Sequence, residues 1–388
     1  MEEDMLKVVV GHSVHIDSEE AISEVLAQCV AQLEGRKPQA SILLAAIDFD
    51  HALILSRIRD RFPEMSVVGG TTYGEISSVL GFQEDSLTMM MFCSKTVTIR
   101  AGLGRGLSKD ADAAAKQAIA SLGLENELDS AKLCITIPDG IADGTEPALR
   151  QLQKLLPTGV PIVGGRAGDH FQFEQTYQFF QDEVVQNGLP ILVFFGNLKV
   201  SHGVASGWQP LSRKARITKC DSPVVHEIDH QPATKFYQDY LGDFPISGEY
   251  PLAIFEEDSD RFYLRASNHW DLEAGDILFT DEIPEQAQVQ ITYATGDHIV
   301  AASQESIEQA LAGYPGEKPA AVLLFSCAAR RWLLGYRTKE EYELGQQFIE
   351  TTVPVAGFYT YGEIGPLEIG GQVRYHQETL VTVVIGTE

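Results

Sequence analysis

Short apolar runs alternate with longer mixed segments along most of the chain. Three of these runs, at residues 42–47, 133–137 and 321–325, are each followed after about one helix's length by a glycine-containing turn. A further strand-sized apolar run comes after each turn, at 87–92, 189–195 and 380–385. Short apolar runs without alternation are typical of strands that are buried on both faces. The pattern therefore predicts an α/β protein with layered sheets.

The glycine-containing turn is an internal repeat. Its copies read Val-Val-Gly-Gly-Thr-Thr-Tyr-Gly-Glu at 67–75, Ile-Val-Gly-Gly-Arg-Ala-Gly-Asp at 162–169 and Val-Ala-Gly-Phe-Tyr-Thr-Tyr-Gly-Glu at 355–363. Glycines at such a position permit a tight turn or a close approach of two backbones. A fold needs such a turn once in every repeat, whereas a ligand site need occur only once. Function is therefore sought where the copies differ.

Each repeat is preceded by a strand-like run that leads into a helix with a polar start. The pairs are 6–10 with 17–33, 97–101 with 108–122, and 289–293 with 303–311, and the candidate N-caps are Asp17, Ser108 and Ser303. We therefore predict three repeated β-α-β-α-β-β modules, at about 6–92, 97–196 and 289–387. Residues 198–288 break the repeat with short strand signals, which indicates a mostly β insert before the third module.

The charge balance excludes polyanionic partners. The 388 residues include 29 Lys and Arg against 55 Asp and Glu, a formal net charge of −26, which nucleic acid and anionic membranes would repel. The longest apolar stretches are too short to cross a bilayer, and the acidic N-terminus is unlike a secretory signal. Five cysteines without a Cys-x-x-Cys spacing indicate free thiols in a reducing compartment. We expect a cytoplasmic protein that is not inserted in a membrane.

Several motifs together resemble one known family. Phe-Ser-Cys-Ala-Ala-Arg at 325–330, the third glycine turn with its continuation to 366, and His-Gln-Glu-Thr at 376–379 closely resemble the C-terminal FIST domain. The turns at 69–75 and 164–169 and Gly-Trp-Gln-Pro at 207–210 look like its N-terminal partner. The resemblance implies a FIST N-terminal domain of two modules at 1–200. It also implies a FIST C-terminal domain at 201–388, made of a β-rich insert at 201–288 and the third module at 289–388.

The resemblance implies a ligand-binding sensory protein of signal transduction rather than an enzyme. One branch of the family consists of haem-binding nitric oxide sensors that regulate a separate histidine kinase, and a stand-alone chain of this size resembles that branch. We therefore expect haem b, with His376 and His170 as candidate axial ligands. The alternative is a sensor of an amino acid or another small metabolite. Such a sensor is compatible with an oligomer.

The third module carries the candidate ligand site because its chemistry departs most from the other copies. Cys327 and Arg330 follow its first buried strand, and Tyr361 and Glu363 follow its glycine turn. In a later strand-like run, Arg374, His376 and Glu378 alternate on one face. If the modules fold alike, the first two groups meet at neighbouring loop ends. Arg330 would then bind the carboxylate of a small zwitterion and Glu363 its amine. The structural alternative is an Arg330–Glu363 ion pair with a core histidine at 376.

Three other interpretations carry less weight. Cys327, His376 and Glu363 could form a nucleophile, a base and an orienting acid, which would make the protein an enzyme. His226 and His230 match the His-Glu-x-x-His zinc motif, but strand-like residues and a following proline argue against the helix that this motif needs. The glycines at 102, 104 and 106 lack the acidic residue and the third spacing of a dinucleotide-binding turn.

Overall fold

Four β-sheets organise the protein in the computed structural model, which describes residues 5–123, 127–256 and 259–387. Three sheets have six strands each, and the fourth has nine. The predicted α/β class, with repeated modules and a mostly β insert, is confirmed, and the topology adds the strand order that the sequence did not predict. In the described part of the chain, no helix combines the length and the apolar character needed to cross a membrane.

The first module spans residues 7–93. Its elements are β1 (Lys7–Ser13), α1 (Ser18–Leu33), β2 (Ala40–Ala45), α2 (His51–Arg61), β3 (Ser66–Thr71), β4 (Glu75–Ser77), β5 (Gly81–Gln83) and β6 (Leu87–Cys93). Asp17 caps α1 as predicted, since its carboxylate accepts a hydrogen bond from the N–H of Glu20 at 3.0 Å. Apart from the β4–β5 hairpin, every strand of this module is almost fully buried, as the unbroken apolar runs predict.

The second module, residues 97–196, repeats this order. Its elements are β7 (Val97–Arg105), α3 (Ala111–Ala120), β8 (Ala131–Thr136), α4 (Thr145–Leu155), β9 (Ile162–Gly165), β10 (Gln178–Phe180), β11 (Glu183–Val185) and β12 (Gly188–Gly196). Asp110 caps α3 in place of the predicted Ser108, and its carboxylate accepts the N–H of Ala113 at 2.9 Å. The N–H of Ser108 instead donates to the side chain of Asn187.

The inserted domain, residues 206–295, interrupts the third module after its first strand, β13 (Lys199–Ala205). Its elements are β14 (Gln209–Pro210), β15 (Ala215–Asp221), β16 (Val224–Ile228), β17 (Gln231–Pro232), α5 (Ala233–Leu241), β18 (Leu252–Phe255), β19 (Phe262–Arg265), β20 (Ser267–Asp271), β21 (Asp276–Phe279) and β22 (Gln288–Tyr293). These strands form the nine-stranded sheet. His226 lies on β16, where its Nδ1 is 2.9 Å from Asp276, so the zinc motif is not helical.

The third module comprises β13 and residues 296–386. Its remaining elements are α6 (Gly296–Ala312), β23 (Ala321–Cys327), α7 (Ala328–Leu334), α8 (Thr338–Gly345), β24 (Val355–Thr360), β25 (Glu363–Pro366), β26 (Val373–His376) and β27 (Leu380–Gly386). The first strand of this module is therefore β13, which pairs with β27, and not the predicted run at 289–293, which is β22 of the inserted domain. Thr295 caps α6 in place of the predicted Ser303, which lies inside the helix.

The modules exchange hairpins in a closed cycle. The hairpin that follows each glycine turn leaves its own module and joins the sheet of another. The β4–β5 hairpin extends the third module's sheet next to β24. The β25–β26 hairpin extends the second module's sheet next to β9, and the β10–β11 hairpin extends the first module's sheet next to β3. Each glycine turn is thus the point at which the chain crosses between modules.

Two kinds of apolar layer hold this arrangement together. The inner faces of the three six-stranded sheets pack into one core that contains residues of all three modules, including Leu44, Ile137 and Phe325. The outer faces are covered by helices, which form separate cores with each sheet. The inserted domain has its own core. The modules therefore share a common interior, while the inserted domain packs as a separate unit beside it.

Equivalent glycines bring the first helix of each module against its edge strand. A Cβ at Gly11, Gly104 or Gly203 would lie 2.5, 2.0 or 2.0 Å from a backbone carbonyl oxygen of α1, α3 or α6, respectively. Only glycine permits this approach. The glycine pattern that precedes α3 thus serves helix packing, and the same contact in β13 identifies that strand as the counterpart of β1 and β7.

Candidate ligand-binding cleft

The strand ends of the three modules build the same small site three times. The N–H groups of Ala46, Asp139 and Cys327 donate to carbonyl oxygens at the start of the last strand of each module, at 3.0–3.1 Å. The residue before each of these carbonyls has a left-handed backbone; these residues are Asp85, Asn187 and Glu378, with φ of 49°, 52° and 63°. Cys327 is therefore the counterpart of Ala46 and Asp139, and Glu378 is the counterpart of Asp85 and Asn187.

Glu363 accepts hydrogen bonds from residues at repeated positions of the module. Its Oε1 accepts the hydroxyl of Thr360 at 2.7 Å, and its Oε2 accepts the hydroxyl and N–H of Thr379 at 2.8 and 3.0 Å. Burial raises the pKa of Glu363 to about 7. Glu75 in the first module is similarly enclosed and accepts the N–H of Ser86, and burial raises its pKa to about 7 as well. This arrangement is consequently a shared feature of the fold.

Glu378 distinguishes the third module from the other two copies. Glu378 as a whole residue is 2% exposed, whereas the side chain of its counterpart Asp85 is 67% exposed. Burial, and then the charge of nearby Glu363, raises the pKa of Glu378 to about 8. Its Oε2 has no hydrogen-bond partner among the described residues. The sequence places Glu378 on the same face as His376, but the predicted set of ligand-binding residues did not include it.

Cys327 is enclosed at the end of β23, beside these two carboxyls. Burial raises the pKa of its thiol well above the usual value, and the charges of Glu363 and Glu378 raise it further. A reactive cysteine needs a lowered pKa and an electropositive surrounding. The pKa of Cys327 is raised and its neighbours are carboxyls, so this geometry does not activate it as a nucleophile.

Arg330 does not reach a ligand position and does not pair with Glu363. Its Nη2 and Nε lie 2.6 and 2.9 Å from Oε1 of Glu341. The guanidinium also donates to Ser303, at 2.6 Å, and to the backbone oxygens of Ser206 and Ile299. The guanidinium is fully buried and engaged by these partners, so its role in binding a ligand carboxylate stays a prediction from the sequence.

Tyr361 connects the second and third modules. Its hydroxyl donates to Oδ1 of Asp169 at 2.5 Å and accepts the N–H of Phe171. The ring stacks on Phe171 and Phe173, with centroids 5.8 and 4.7 Å away. The side chain of Tyr361 thus contacts the loop that follows the second glycine turn, and these contacts join the two modules.

His376 is a neutral acceptor in the floor of a cleft. Burial lowers its pKa to about 4. Its Nε2 lies 2.8 Å from the carbonyl oxygen of Gly365; because a carbonyl can only accept, Nε2 carries the ring proton. Nδ1 is therefore left as an unprotonated acceptor, and it has no partner among the described residues.

The cleft lies between the inserted domain and the third module and has a volume of about 490 Å³. That size is typical of small-molecule sites, which often form where two domains meet. Its apolar lining includes Trp208, Phe262, Leu264 and Leu367; its polar lining includes Ser206, Asp260, Glu305, Gln309, His376 and Thr379. Thr379 connects the cleft to Glu363 through the two hydrogen bonds described above.

Sequence reasoning missed the wall that the inserted domain contributes. Trp208 lies in the Gly-Trp-Gln-Pro segment, which pointed to the family but not to the site, and Phe262 lies in a strand-like run that is apolar for ordinary packing reasons. A larger hollow of about 720 Å³ lies within the inserted domain and beside Arg374. Its charges largely pair with each other, as in Lys214–Asp260 and Arg374–Glu256, which makes the smaller cleft the better candidate.

The two candidate haem ligands do not have the surroundings of an axial ligand. His376 is fully enclosed, with Nε2 bonded to a backbone oxygen. His170 has its Nε2 3.4 Å from Asp85, so a carboxylate faces the nitrogen that an iron would need. A haem needs an apolar slot over the coordinating nitrogen. Haem binding stays a prediction from the sequence.

Two family profiles match the chain. The FIST N domain matches residues 39–231, and the FIST C domain matches residues 233–366. An uncharacterized protein of Mycobacterium tuberculosis is 22% identical over 384 residues, which cover 93% of this chain and 95% of that protein. An uncharacterized protein of Methanocaldococcus jannaschii is 24% identical over 200 residues, covering 49% of this chain. This match covers only 38% of the length of that relative. An uncharacterized protein of Aquifex aeolicus is 30% identical over 103 residues, and that match also covers only 38% of the relative's length.

Two solved structures of cyanuric acid hydrolases share a distant likeness with the chain. One, from A. caulinodans, has a TM-score of 0.37 and 8% identity, with 98% of this chain and 99% of that chain covered. The other has a TM-score of 0.31 and 9% identity, with 52% and 72% covered. Because these proteins are enzymes, the similarity contradicts the expectation that this chain is not an enzyme, and that expectation is withdrawn. At these TM-scores the likeness assigns no reaction to it.

Proposed function

The chain belongs to the FIST family, whose domains indicate a sensory role in signal transduction, and on that premise we propose that it senses a small metabolite that carries an amine, such as an amino acid. The ligand binds in the cleft between the inserted domain and the third module. The binding signal then passes to a separate signalling protein, for which a histidine kinase is the candidate that the family resemblance suggests.

The observation that carries this proposal is the acceptor character of the cleft. Beneath it lies the fully buried, neutral ring of His376, whose unpartnered nitrogen can only accept a hydrogen bond. Glu305 adds a carboxylate that, within the described residues, has no salt bridge to a lysine or arginine. A ligand that suits these groups must donate hydrogen bonds and carry positive charge, as an ammonium group does.

The aromatic wall favours the same ligand chemistry. Trp208 and Phe262 line the cleft opposite the third module. A cation placed over an aromatic face gains about 0.5–2 kcal/mol, with the larger value in a site shielded from water. Arg261, at the rim, is the cation available to the carboxylate of an amino acid, although Glu368 engages it at 2.6 Å in this structure.

The connection between the two walls suggests how binding is transmitted. The inserted domain leaves the third module after β13 and returns at α6, so both of its connections enter the same module. A ligand held between Phe262 and Thr379 would fix the inserted domain relative to that module. A partner that contacts the inserted domain would then respond to the ligand, because a ligand shifts a conformational equilibrium by its differential affinity for the two states.

A thermal-shift screen with matched variants tests the proposal. The intact protein is exposed to the common amino acids, to simple amines, and to carboxylic acids of the same size that lack the amine. We expect amine-bearing compounds alone to raise the melting temperature, by mass action on the folded state. The Glu305→Gln variant should bind these compounds at least tenfold more weakly. Glu308→Gln, which changes an exposed neighbour on the same helix, should bind them with unchanged affinity.

Two outcomes would overturn the proposal. Stabilisation by the amine-free acids, or equal affinity in the Glu305→Gln and Glu308→Gln variants, would place recognition elsewhere. A saturable visible band after reconstitution with haem would instead favour the nitric oxide sensor that the resemblance suggested, and the same preparation serves for both measurements.

A further inference from the structure

A cluster of side chains that can ligate a metal lies at the border of the first and second modules. It includes Asp85, the exposed counterpart of Glu378. One ligand atom each from Asp48, Asp85 and His170 lies within 4.8 Å of the others. His170 Nε2 lies 3.4 Å from Oδ1 of Asp85. The three residues come from separate loops, so the fold and not a local sequence motif brings them together.

The hairpin exchange is what assembles the cluster. Asp48 follows β2, and Asp85 precedes β6, so both carboxylates lie at one end of the first module's sheet. His170 lies in the loop between β9 and β10, and β10 pairs with β3 of that same sheet. The ring of Tyr73, 5.8 Å from the imidazole, packs beside His170. The second module thereby delivers an imidazole to a pair of carboxylates in the first.

The charges of the cluster call for a cation. Asp48 and Asp85 are two like charges held close together. In the described part of the chain, no lysine or arginine nitrogen lies within 4 Å of either carboxylate, and His170 is the one basic group that reaches Asp85. Neighbouring carboxylates without a compensating charge repel each other, and a bound cation is the strongest local relief of that repulsion.

We propose that Asp48, Asp85 and His170 bind a divalent transition-metal ion, with Zn²⁺ as the best match. Two carboxylate oxygens and one imidazole nitrogen are donors that Zn²⁺ accepts, and three protein ligands leave a position for water. At about 2.0–2.2 Å from a tetrahedral Zn²⁺, ligand atoms lie about 3.3–3.6 Å apart. The separation of His170 and Asp85 already matches this value, and the remaining separations, which are at most 4.8 Å, must shorten by about 1 Å, which the exposed carboxylates can do.

The bound ion would join two modules and fix the loop that carries His170. The same loop presents Phe171 and Phe173, whose rings stack on Tyr361 of the third module. Metal binding would therefore stabilise the contact between all three modules. This site is separate from the cleft of the third module, and it stands whether or not the cleft binds an amine.

Titration of the intact, metal-free protein with Co²⁺ tests the site, since Co²⁺ replaces Zn²⁺ and absorbs visible light when protein-bound. We expect one Co²⁺ per chain with a saturable visible spectrum, displaced by one equivalent of Zn²⁺. The His170→Ala and Asp85→Asn variants should each bind at least tenfold more weakly. The His15→Ala variant removes an exposed histidine of the first module and should bind like the unaltered protein.

A melting experiment gives an independent readout. Zn²⁺ should raise the melting temperature of the unaltered protein and of His15→Ala, but not of His170→Ala, because only a site that exists in the folded state stabilises by mass action. Equal Co²⁺ affinity in the unaltered protein and in His170→Ala would overturn the proposal. So would weak binding of several ions that all variants share, which would reflect the acidic surface.

Discussion

Arg330 and Glu341 form an enclosed ion pair, with Nη2 2.6 Å and Nε 2.9 Å from the same carboxylate oxygen. Both side chains are almost fully buried. The carboxylate also accepts the hydroxyls of Ser326, from β23, and Tyr359, from β24. The pair therefore joins two strands of the third module to α7 and α8, and its loss would leave one charge without a partner inside the protein.

Replacement of one member of this pair should be strongly destabilising. We expect Arg330→Met to lower the free energy of unfolding by about 3–5 kcal/mol, because Glu341 is then left as an uncompensated buried charge. The double variant Arg330→Met with Glu341→Leu should recover part of that loss, since neither charge remains. Urea denaturation of the three proteins provides the measurement.

The exposed pair Lys235–Asp239 supplies the control. Lys235→Ala should change stability little, because solvent screens exposed ion pairs. A small effect of Arg330→Met, comparable to that of Lys235→Ala, would contradict the enclosed pair. So would a double variant that is less stable than Arg330→Met alone.

The repeated modules could be predicted from the sequence because their signals are local. Apolar runs, glycine turns and strand-to-helix transitions each lie within a few residues. The hairpin exchange could not be predicted, because it depends on which sheet edge accepts a hairpin from far away along the chain. The run at 289–293 also has the local form of a first strand. The strand pairing identifies β13 as the first strand instead, and Gly203, which matches Gly11 and Gly104 in its contact with a helix, agrees with it.

The candidate site was predicted in part for a similar reason. Glu363 and Cys327 do lie close together, as the neighbouring loop ends required, and Glu378 lies with them. The alternative ion pair of Arg330 with Glu363 is replaced by one with Glu341, because charge pairing depends on the reach of side chains in three dimensions. The wall of the cleft that includes Trp208 comes from the inserted domain, whose packing against the third module has no local sequence signal.

The close contact between β13 and α6 gives a prediction about glycine. A Cβ at position 203 would lie 2.0 Å from the carbonyl oxygen of Ser306, which is backbone and cannot turn aside. Gly203→Ala should therefore lower the free energy of unfolding by about 1–3 kcal/mol or more through overpacking. Gly248→Ala is the matched control, since its nearest neighbour would be 3.5 Å away. Equal melting temperatures for the two variants would contradict the proposed equivalence of β13 with β1 and β7.

The buried carboxyl of Glu378 predicts how stability depends on pH. Burial and the charge of Glu363 raise its pKa from the usual 4.5 to about 8, so the folded protein retains a proton that the unfolded chain releases. The contribution of Glu378 to the free energy of unfolding is complete below about pH 4.5 and is lost as the pH rises to about 8. In Glu378→Gln this loss is absent. The free energy of unfolding of the variant should therefore rise, relative to that of the unaltered protein, by a few kcal/mol between pH 5 and about 8.5. Urea denaturation at several pH values, with Glu308→Gln as the exposed control, measures the difference; a difference that stays constant with pH would show that Glu378 is already ionised in the folded protein.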